Sequence, residues 1–471
     1  MVYSQNNIKR GYNMSYSKPN GYLRNLVTGT ETKIVVANGK DVTAINFDNA
    51  ATTPPFCSVL KEISRVSPWY ASVHRGKGYK SILSSELYEY GREVVRNFVN
   101  ADKHDTVIFT KNTTESINMV AYALAALGET QVVLSTDMEH LANDMPWRDK
   151  FMLDYITLTK SGRLSLKDLG EKLQKYRGRS TLVTVTGASN VSGYINPINK
   201  IAALAHQYGA KILVDGAQWV PHMPVDMKPY NSPEHIDYLV FSAHKMYAPF
   251  GTGVLIGPKE VFDRAMPVYQ GGGAVGLVSQ QVIEWEAAPA KYEAGTPNMM
   301  GVIALTAAIK TLNELSMKNI YQHERELIGY AIGGLSAIPG IRLYSSCNTL
   351  EERVSLISFT LEGLHHSQVA EILSQEAGIA VRNGLFCAHP YVEKLLNISD
   401  EEIDYYQKHD DKTIPGLTRI SFGIYNNLQE IDVFLNLVAN IAKHRQYYAT
   451  KYGYVLVDRC DTKLIKDYPY C

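Results

Sequence analysis

The sequence has 471 residues, of which 45% are hydrophobic and 20% are charged, enough chain for one large core and a second, smaller one. Its 47 Lys and Arg residues balance its 47 Asp and Glu residues, so no broad charged field favours nucleic acid or an anionic membrane. The chain lacks a run of about 18 or more apolar residues, so we expect no membrane span and a small-molecule partner.

The N-terminal segment 1–20 is polar and lacks the apolar middle of a signal peptide, which predicts a cytoplasmic protein. The cysteines are few, odd in number and widely spaced, which argues against a disulfide framework. They are Cys57, Cys347, Cys387, Cys460 and Cys471. Because there is no CxxC motif or His/Cys cluster, we predict no metal site.

Residues 1–44 lack strong periodicity and predict an arm, either a loose tail or a segment that lies on the domain or on a second subunit. From Ile45 onward, apolar strand-like runs alternate with helical stretches such as 115–127 and 198–208. This alternation predicts a mostly parallel sheet with helices on both faces. The predicted buried strands are 106–109, 131–134, 181–185, 211–214 and 238–241.

After about residue 301 the pattern changes to a long helical stretch, 303–335, followed by a strand at 354–359 and then helix, strand and helix. This order predicts a smaller α+β domain. We therefore divide the chain into an arm (1–44), a large domain (45–305), a small domain (306–444) and a Tyr-rich tail (445–471) whose role the sequence leaves open.

Ligands bind such sheets at the carboxyl ends of the strands, so the residues that follow each strand are candidates. Lys245 lies just past the strand 238–241, where loss of water would lower its pKa and free it to form a Schiff base. Asp215 ends the preceding strand, and a buried carboxylate there needs a cation such as a protonated pyridine nitrogen. Gln218 could donate to a ring hydroxyl. Taken singly, a surface lysine and a helix-capping aspartate are the simpler interpretations.

Two further strand ends carry polar groups. Thr113 and Thr114 begin an apolar helix, where hydroxyls and free backbone N–H groups bind phosphate, although a plain capping box explains them equally well. His140 follows another strand and could lie on a cofactor ring and transfer protons. A single histidine is more often a hydrogen-bonded structural residue.

Six segments, taken together and in order, resemble the cysteine desulfurase and selenocysteine lyase family of class V aminotransferase-like pyridoxal-phosphate (PLP) enzymes. They are 48–55, 112–115, 139–140, 215–218, 242–245 and 293–298. The resemblance runs from about residue 45 to about residue 439. It implies PLP fold type I: a large domain with a mostly parallel seven-stranded sheet, plus a smaller α+β C-terminal domain.

The resemblance also implies roles for individual residues. Lys245 would carry PLP, Asp215 would contact the pyridine nitrogen, Gln218 the phenolic oxygen, and His140 would stack on the ring. The phosphate ligands would be Thr114, with Thr113 beside it, Ser242 and His244, together with Thr296 from the other subunit of a homodimer. Asn190 would lie near the substrate, and segment 73–76 would approach the neighbouring subunit's site. A shared site of this kind implies an obligate homodimer.

Cys387, in segment 378–390, stands where the family presents its sulfur-accepting cysteine. A thiolate there would attack the substrate sulfur, and the cation of Arg382 would favour that thiolate. Arg419 resembles the residue that binds the substrate α-carboxylate bidentately. The alternatives are an inert small residue for Cys387 and a surface ion pair for Arg419.

The sequence departs from the family in the inserted stretch 391–416, which could cover the site or bind a partner, and in Leu141, where many members have a second histidine. We predict a C–S lyase that acts on L-cysteine or a related sulfur or selenium amino acid and leaves a persulfide on Cys387, with a possible sulfur-acceptor protein. The alternative is another class V reaction, such as transamination, epimerisation or a biosynthetic C–S cleavage, in which Cys387 accepts no sulfur. A scaffold without cofactor is disfavoured because Lys245, Asp215 and His140 are all present.

Overall fold

The computed structural model describes residues 21–344, 350–409 and 413–453. Its centre is a seven-stranded sheet with the strand order β4-β10-β9-β8-β7-β5-β6. Every neighbouring pair is parallel except the two that β10 makes, with β4 and with β9. These strands are β4 (Asp105–Thr110), β5 (Val132–Thr136), β6 (Met152–Ile156), β7 (Thr181–Thr186), β8 (Lys211–Asp215), β9 (Tyr238–Ser242) and β10 (Gly253–Pro258).

The predicted mostly parallel, seven-stranded sheet is confirmed. β4 and β7 are buried along their whole length, as expected for strands covered by helices on both faces. The antiparallel β10 was not among the predicted strands. Only residues 243–252 connect it to β9, too few for a crossover helix, so the chain returns in the opposite direction.

The helices that pack around this sheet include one whose first turn faces the strand ends. This helix, α3 (Thr113–Leu127), is capped at its N-terminus by Asn112, whose side chain accepts from the N–H of Glu115, and at its C-terminus by Gly128 in the left-handed conformation. The helices are α1 (Cys57–Val66), α2 (Tyr79–Phe98), α3 (Thr113–Leu127), α4 (Leu166–Lys175), α5 (Ile198–Gln207), α6 (Lys259–Arg264) and α7 (Met299–Leu315).

A second, four-stranded antiparallel sheet has the order β13-β14-β17-β16 and its own apolar core, which includes Phe359 and Phe434. Its strands are β13 (Ile341–Tyr344), β14 (Leu356–Leu361), β16 (Arg382–Gly384) and β17 (Leu417–Ser421). The remaining helices are α8 (Met317–Ser336), α9 (His366–Ala377), α10 (His389–Leu396), α11 (Asp400–His409), α12 (Leu428–Lys443) and α13 (Arg445–Tyr452). The hairpin strands β11 (Val275–Val278) and β12 (Ile283–Trp285) pair with each other and belong to neither of these two sheets.

The predicted helical stretch 303–335 is two helices. Ser316 separates them with a φ of 68°, a left-handed conformation that a continuing helix cannot contain. α7 packs into the first core as far as Leu315, whereas Leu327 and Ile328 of α8 pack into the second. The predicted domain boundary at residue 305 therefore falls inside α7.

The described part of the N-terminal arm contacts both the large unit, built on the seven-stranded sheet, and the smaller unit, built on the four-stranded sheet. Val27 packs into the core of the large unit, and the hairpin that follows lies on the smaller unit. This hairpin, β1 (Lys33–Val35) and β2 (Asp41–Thr43), reaches α9, where the N–H of Ala37 donates to the carbonyl of Gln375. Beyond it, β3 (Ile45–Asn46) pairs in parallel with β15 (Ile379–Ala380). Segments 1–20 and 454–471, and with them Cys460 and Cys471, lie outside the described residues, as does Cys347. In the described ranges no helix has the length and apolar character needed to cross a membrane.

Candidate active site

A cavity of about 240 Å³ opens where the carboxyl ends of the parallel strands face the smaller unit. It brings together all of the predicted site residues except Thr296, which is exposed elsewhere on the chain. The predicted residues that line it are Thr113, Thr114, His140, Asn190, Asp215, Gln218, Ser242, His244, Lys245, Arg382, Cys387 and Arg419. Within the described ranges, no cluster of three or more His, Cys, Asp or Glu side chains could hold a metal ion.

Lys245 ends a single 3-10 turn that directly follows β9. Burial lowers the pKa of Lys245 to about 8; the negative charge of Asp215 opposes this shift and the positive charge of Arg419 adds to it. Among the described residues, its ammonium group makes no ion pair. At pH 7 about a tenth of this amine is therefore uncharged and able to act as a nucleophile, far more than for an ordinary lysine.

Asp215 ends β8 and is buried. Burial raises its pKa, while the N–H of Ala217, which donates to Oδ1 at 2.9 Å, and the charge of Lys245 lower it. No basic side chain of the described residues lies within ion-pair distance of this carboxylate. A buried anion in this state is stabilised by any cationic ligand group that enters the cavity.

Gln218 holds an unsatisfied polar atom beside these two residues. Its Nε2 donates to the carbonyl of Ala50 at 2.6 Å, whereas its Oε1 is buried and has no hydrogen-bond partner among the described residues. The carboxamide can therefore accept a hydrogen bond from a ligand hydroxyl, or donate its second amide hydrogen to a ligand oxygen. The sequence predicted only the donor role.

A turn that carries several hydrogen-bond donors also lines the cavity. The N–H and Oγ1 of Thr113 lie 2.8 and 2.7 Å from Oγ of Ser242, so the start of α3 and the end of β9 share one cluster of donors. Gly253 allows β10 to approach this turn, because a Cβ atom there would lie 2.6 Å from the backbone of Asn112. Burial and the charge of Lys245 lower the pKa of His244 to about 4, so its ring is neutral at pH 7.

His140 is neutral as well. Burial, followed by the charges of Lys245 and Arg419, lowers its pKa to about 4. Its Nδ1 accepts from the N–H of Ala142 at 3.0 Å, so the single proton of the neutral ring resides on Nε2. The turn that carries His140 is stabilised by the buried carboxyl group of Glu139, which accepts hydrogen bonds from the side chains of Thr136 and Asn143 at 2.6 Å each. Burial raises the pKa of Glu139 to about 8.

Arg419 enters from β17 of the second sheet and is 3% exposed. Its Nη1 donates to the carbonyl of Asn190 at 2.8 Å, its Nη2 donates to the carboxylate of Asp48 at 3.2 Å, and its Cζ lies 4.9 Å from the centroid of the Phe386 ring. Nε is buried without a partner among the described residues. Burial lowers the pKa of Arg419 to about 10, so at neutral pH it is a cation with a donor left for an anionic ligand.

Asp48 is a site residue to which the sequence assigned no role. Its carboxylate also lies 3.8 Å from Nη1 of Arg382, so it joins both arginines of the cavity. The local signal for it is that it opens segment 48–55, one of the six segments that carry the resemblance. Its partners lie more than 300 positions away along the chain, and no sequence pattern identifies them.

Cys387 is exposed and lies at the smaller unit's side of the cavity. Cys387 and Phe386 both have left-handed backbone conformations, with φ of 53° and 51°. The carbonyl of Cys387 accepts from the N–H of Leu141 at 2.7 Å, and that of Phe386 accepts from Nδ2 of Asn190 at 2.8 Å. The thiol therefore shares a cavity with the amine of Lys245 and the guanidinium of Arg419.

Comparison with known proteins gives a consistent result. The model of the aminotransferase class-V family matches residues 45–434. A probable cysteine desulfurase of Halalkalibacterium halodurans is 34% identical, over 86% of this chain and 94% of its own. One of Staphylococcus aureus is 36% identical, over 87% and 94%.

Solved structures agree with the sequence relatives. The apo structure of the cysteine desulfurase from Thermococcus onnurineus NA1 superimposes with a TM-score of 0.76 at 32% identity and covers 85% of this chain and 95% of its own. The Escherichia coli cysteine desulfurase CsdA, in an S-sulfonic acid form, gives a TM-score of 0.72 at 30% identity with the same coverage.

Proposed function

This chain belongs to the aminotransferase class-V family and, within it, to the cysteine desulfurases, and we therefore propose that it removes sulfur from an amino acid. The substrate is L-cysteine or a related sulfur or selenium amino acid, and the products are alanine and a persulfide on Cys387. One cavity holds the thiol of Cys387, the amine of Lys245 with its lowered pKa, and Arg419, whose Nε has no hydrogen-bond partner among the described residues. This observation carries the proposal. The family predicted from the six sequence segments is confirmed.

The family is PLP-dependent, and the residues of the cavity fit that cofactor. The unpaired carboxylate of Asp215 fits the pyridine nitrogen, the second amide hydrogen of Gln218 Nε2 can donate to the phenolic oxygen, and Thr113 with Ser242 fits the phosphate. The amine of Lys245 would hold the aldehyde carbon. When bound, PLP supplies an electron sink that weakens the bonds at the substrate's α-carbon.

The remaining roles fall to the chain's own side chains. Arg419 binds the substrate α-carboxylate and fixes its orientation through Nε, and Lys245 moves the α-proton. The thiolate of Cys387 attacks the substrate sulfur; an S–S bond forms, the C–S bond breaks, and the electron pair passes to the substrate. A proton then completes the methyl group of alanine. The substrate's thiol proton stays on the transferred sulfur of the persulfide, and the proton that Cys387 loses balances the hydrogen added to the methyl group.

Thr296 supports a homodimer. It is exposed and absent from the cavity of its own chain, although the resemblance gives it a phosphate contact. We infer that it completes the cavity of a second copy, which makes the dimer part of the active site.

The proposed function is tested by incubating PLP-loaded protein with L-cysteine, L-selenocysteine and L-cysteine sulfinate. We expect alanine as the amino-acid product and one added sulfur on Cys387 after incubation with L-cysteine, seen by peptide mass spectrometry. Formation of a keto acid, or alanine without added mass at Cys387, would favour transamination or another class V reaction.

Arg419→Lys is expected to raise KM for L-cysteine about 10- to 100-fold, because a lysine cannot form the bidentate contact with a carboxylate. Steady-state alanine production measures the effect. Arg264→Lys, an exposed arginine paired with Glu129, is the matched control and should leave KM unchanged. An unchanged KM in Arg419→Lys would mean that another group binds the α-carboxylate of the substrate.

Capture of PLP by the cofactor-free protein should accelerate with pH. The fold lowers the pKa of Lys245 from 10.5 to about 8, so it favours the neutral amine, whose fraction grows as the pH rises through that value. Between pH 7 and pH 9 this fraction, and with it the initial capture rate, should increase about tenfold. Stopped-flow absorbance after mixing with PLP measures the rate. A rate that is flat over this range would contradict the lowered pKa.

A further inference from the structure

The helix α10 (His389–Leu396) begins two residues after Cys387 and lies across the loops that follow three neighbouring strands of the large sheet. Lys394 pairs with Asp137, which directly follows β5. The hydroxyl of Tyr391 donates to the carbonyl of Gly162, past β6, at 2.8 Å and lies 3.1 Å from Oγ of Ser192, past β7. A helix of the smaller unit is thus fastened to the carboxyl edge of β5, β6 and β7.

The contact is closely packed as well as polar. Tyr391 is 1% exposed, and Tyr391, Val392 and Phe386 share an apolar cluster with Met138 and Val191 of the large unit. A Cβ atom on Gly162 would lie 3.2 Å from the Tyr391 hydroxyl, so the helix and this loop already touch. The cluster therefore joins the residue before Cys387 to the helix after it.

The backbone between these anchors is strained. Two consecutive non-glycine residues, Phe386 and Cys387, adopt left-handed conformations, which persist only when surrounding contacts enforce them. Two of these contacts come from the large unit, where the N–H of Leu141 and the side chain of Asn190 donate to the two carbonyls. The chain beyond them is held by α10, which is itself bound to the large unit through Tyr391 and Lys394. Loss of the anchor on one side would let this turn relax.

We propose that α10 is a brace that holds Cys387 in the cavity, and that Tyr391 and Lys394 are positioning residues for sulfur abstraction. The brace keeps the thiol on the same side as Lys245 and Arg419 without touching substrate or cofactor. The expected effect on persulfide formation rests on the proposed function. The position of Cys387, in contrast, can be measured in the protein without substrate.

Tyr391→Phe removes the hydroxyl and keeps the ring, and Lys394→Ala removes the ion pair. In both variants we expect persulfide formation on Cys387 to slow about tenfold, from the loss of one or two hydrogen bonds. KM for L-cysteine and the absorbance of bound PLP should stay unchanged, because Arg419, Asp215 and Lys245 lie on other elements. Single-turnover quenched flow with mass spectrometry of the Cys387 peptide measures the slow step.

Hydrogen–deuterium exchange of the holoenzyme without substrate gives the second measurement. The N–H of Leu141, which donates to Cys387, should exchange faster in Tyr391→Phe and Lys394→Ala. Lys394→Arg should restore both readouts, and Tyr405→Phe, on the next helix with an exposed ring, should change neither.

The outcomes separate the two hypotheses. Wild-type protein that forms no persulfide would refute the proposed function, and the exchange of Leu141 would still test the brace. If the wild-type protein forms persulfide and the variants form it equally fast, the brace is overturned, whether or not the deuterium exchange of the Leu141 N–H changes. A slower step accompanied by a raised KM or altered PLP absorbance would also overturn it, because the effect would then be a general disturbance of the cavity.

Discussion

Lys245→Ala is expected to abolish turnover, with a loss of at least about 10³-fold in kcat, because no other amine in the cavity can replace the one that holds the cofactor and moves the proton. The cavity's other basic side chains, Arg382 and Arg419, carry guanidinium groups, which cannot form the bond to the cofactor aldehyde that an amine forms. The same variant should lose the visible absorption that lysine-bound PLP gives. Some PLP should remain, held by the turn of Thr113 and Ser242.

The measurement is alanine production from L-cysteine, with absorbance spectra before and after removal of free PLP. Lys259→Ala is the matched control, since that lysine is half-buried outside the cavity and pairs only with Asp263 among the described residues. We expect its spectrum and turnover to equal those of the wild type. Normal catalysis in Lys245→Ala would remove the basis for every other role assigned to the cavity.

Cys387→Ala is expected to lose persulfide formation completely and to reduce turnover with a thiol acceptor by at least about 10²-fold, because the attacking sulfur is gone. PLP binding should not change, since Asp215, Gln218 and Thr113 are independent of residue 387. Mass spectrometry of the protein after incubation with L-cysteine, together with alanine production, gives both values.

Cys57→Ala is the control for this experiment, because Cys57 is the other free cysteine of the described chain and lies outside the cavity. It should form persulfide at the wild-type rate. Unchanged turnover in Cys387→Ala would instead assign the protein to a class V reaction that passes no sulfur to this residue, such as transamination or epimerisation.

Much of the cofactor end of the cavity could be predicted from the sequence. Lys245 and Thr113 each follow a buried apolar strand, and Asp215 ends one. Because parallel strands end at one edge of a sheet, local patterns place these residues together. The break at Ser316 could not be predicted in the same way, because both flanking segments have helical sequence and only their packing into different cores separates them.

The substrate end depends on contacts that no local pattern records. Arg419 and Asp48 are 371 positions apart, and Asn190 reaches Phe386 across 196. The resemblance gave Arg419 and Cys387 their roles, but the partners that orient them, Asp48 and Leu141, came only from the structure.

The amino-acid sequence by itself determined that the sheet is mostly parallel, which residues lie at the strand ends, and the family. It could do so because apolar periodicity and short motifs are properties of neighbouring residues. The tertiary structure alone decided how Cys387 and Arg419 meet Lys245. These groups lie on two units with separate cores. They meet because the two units pack against each other, and that packing also offsets the strain of the left-handed turn at residues 386 and 387.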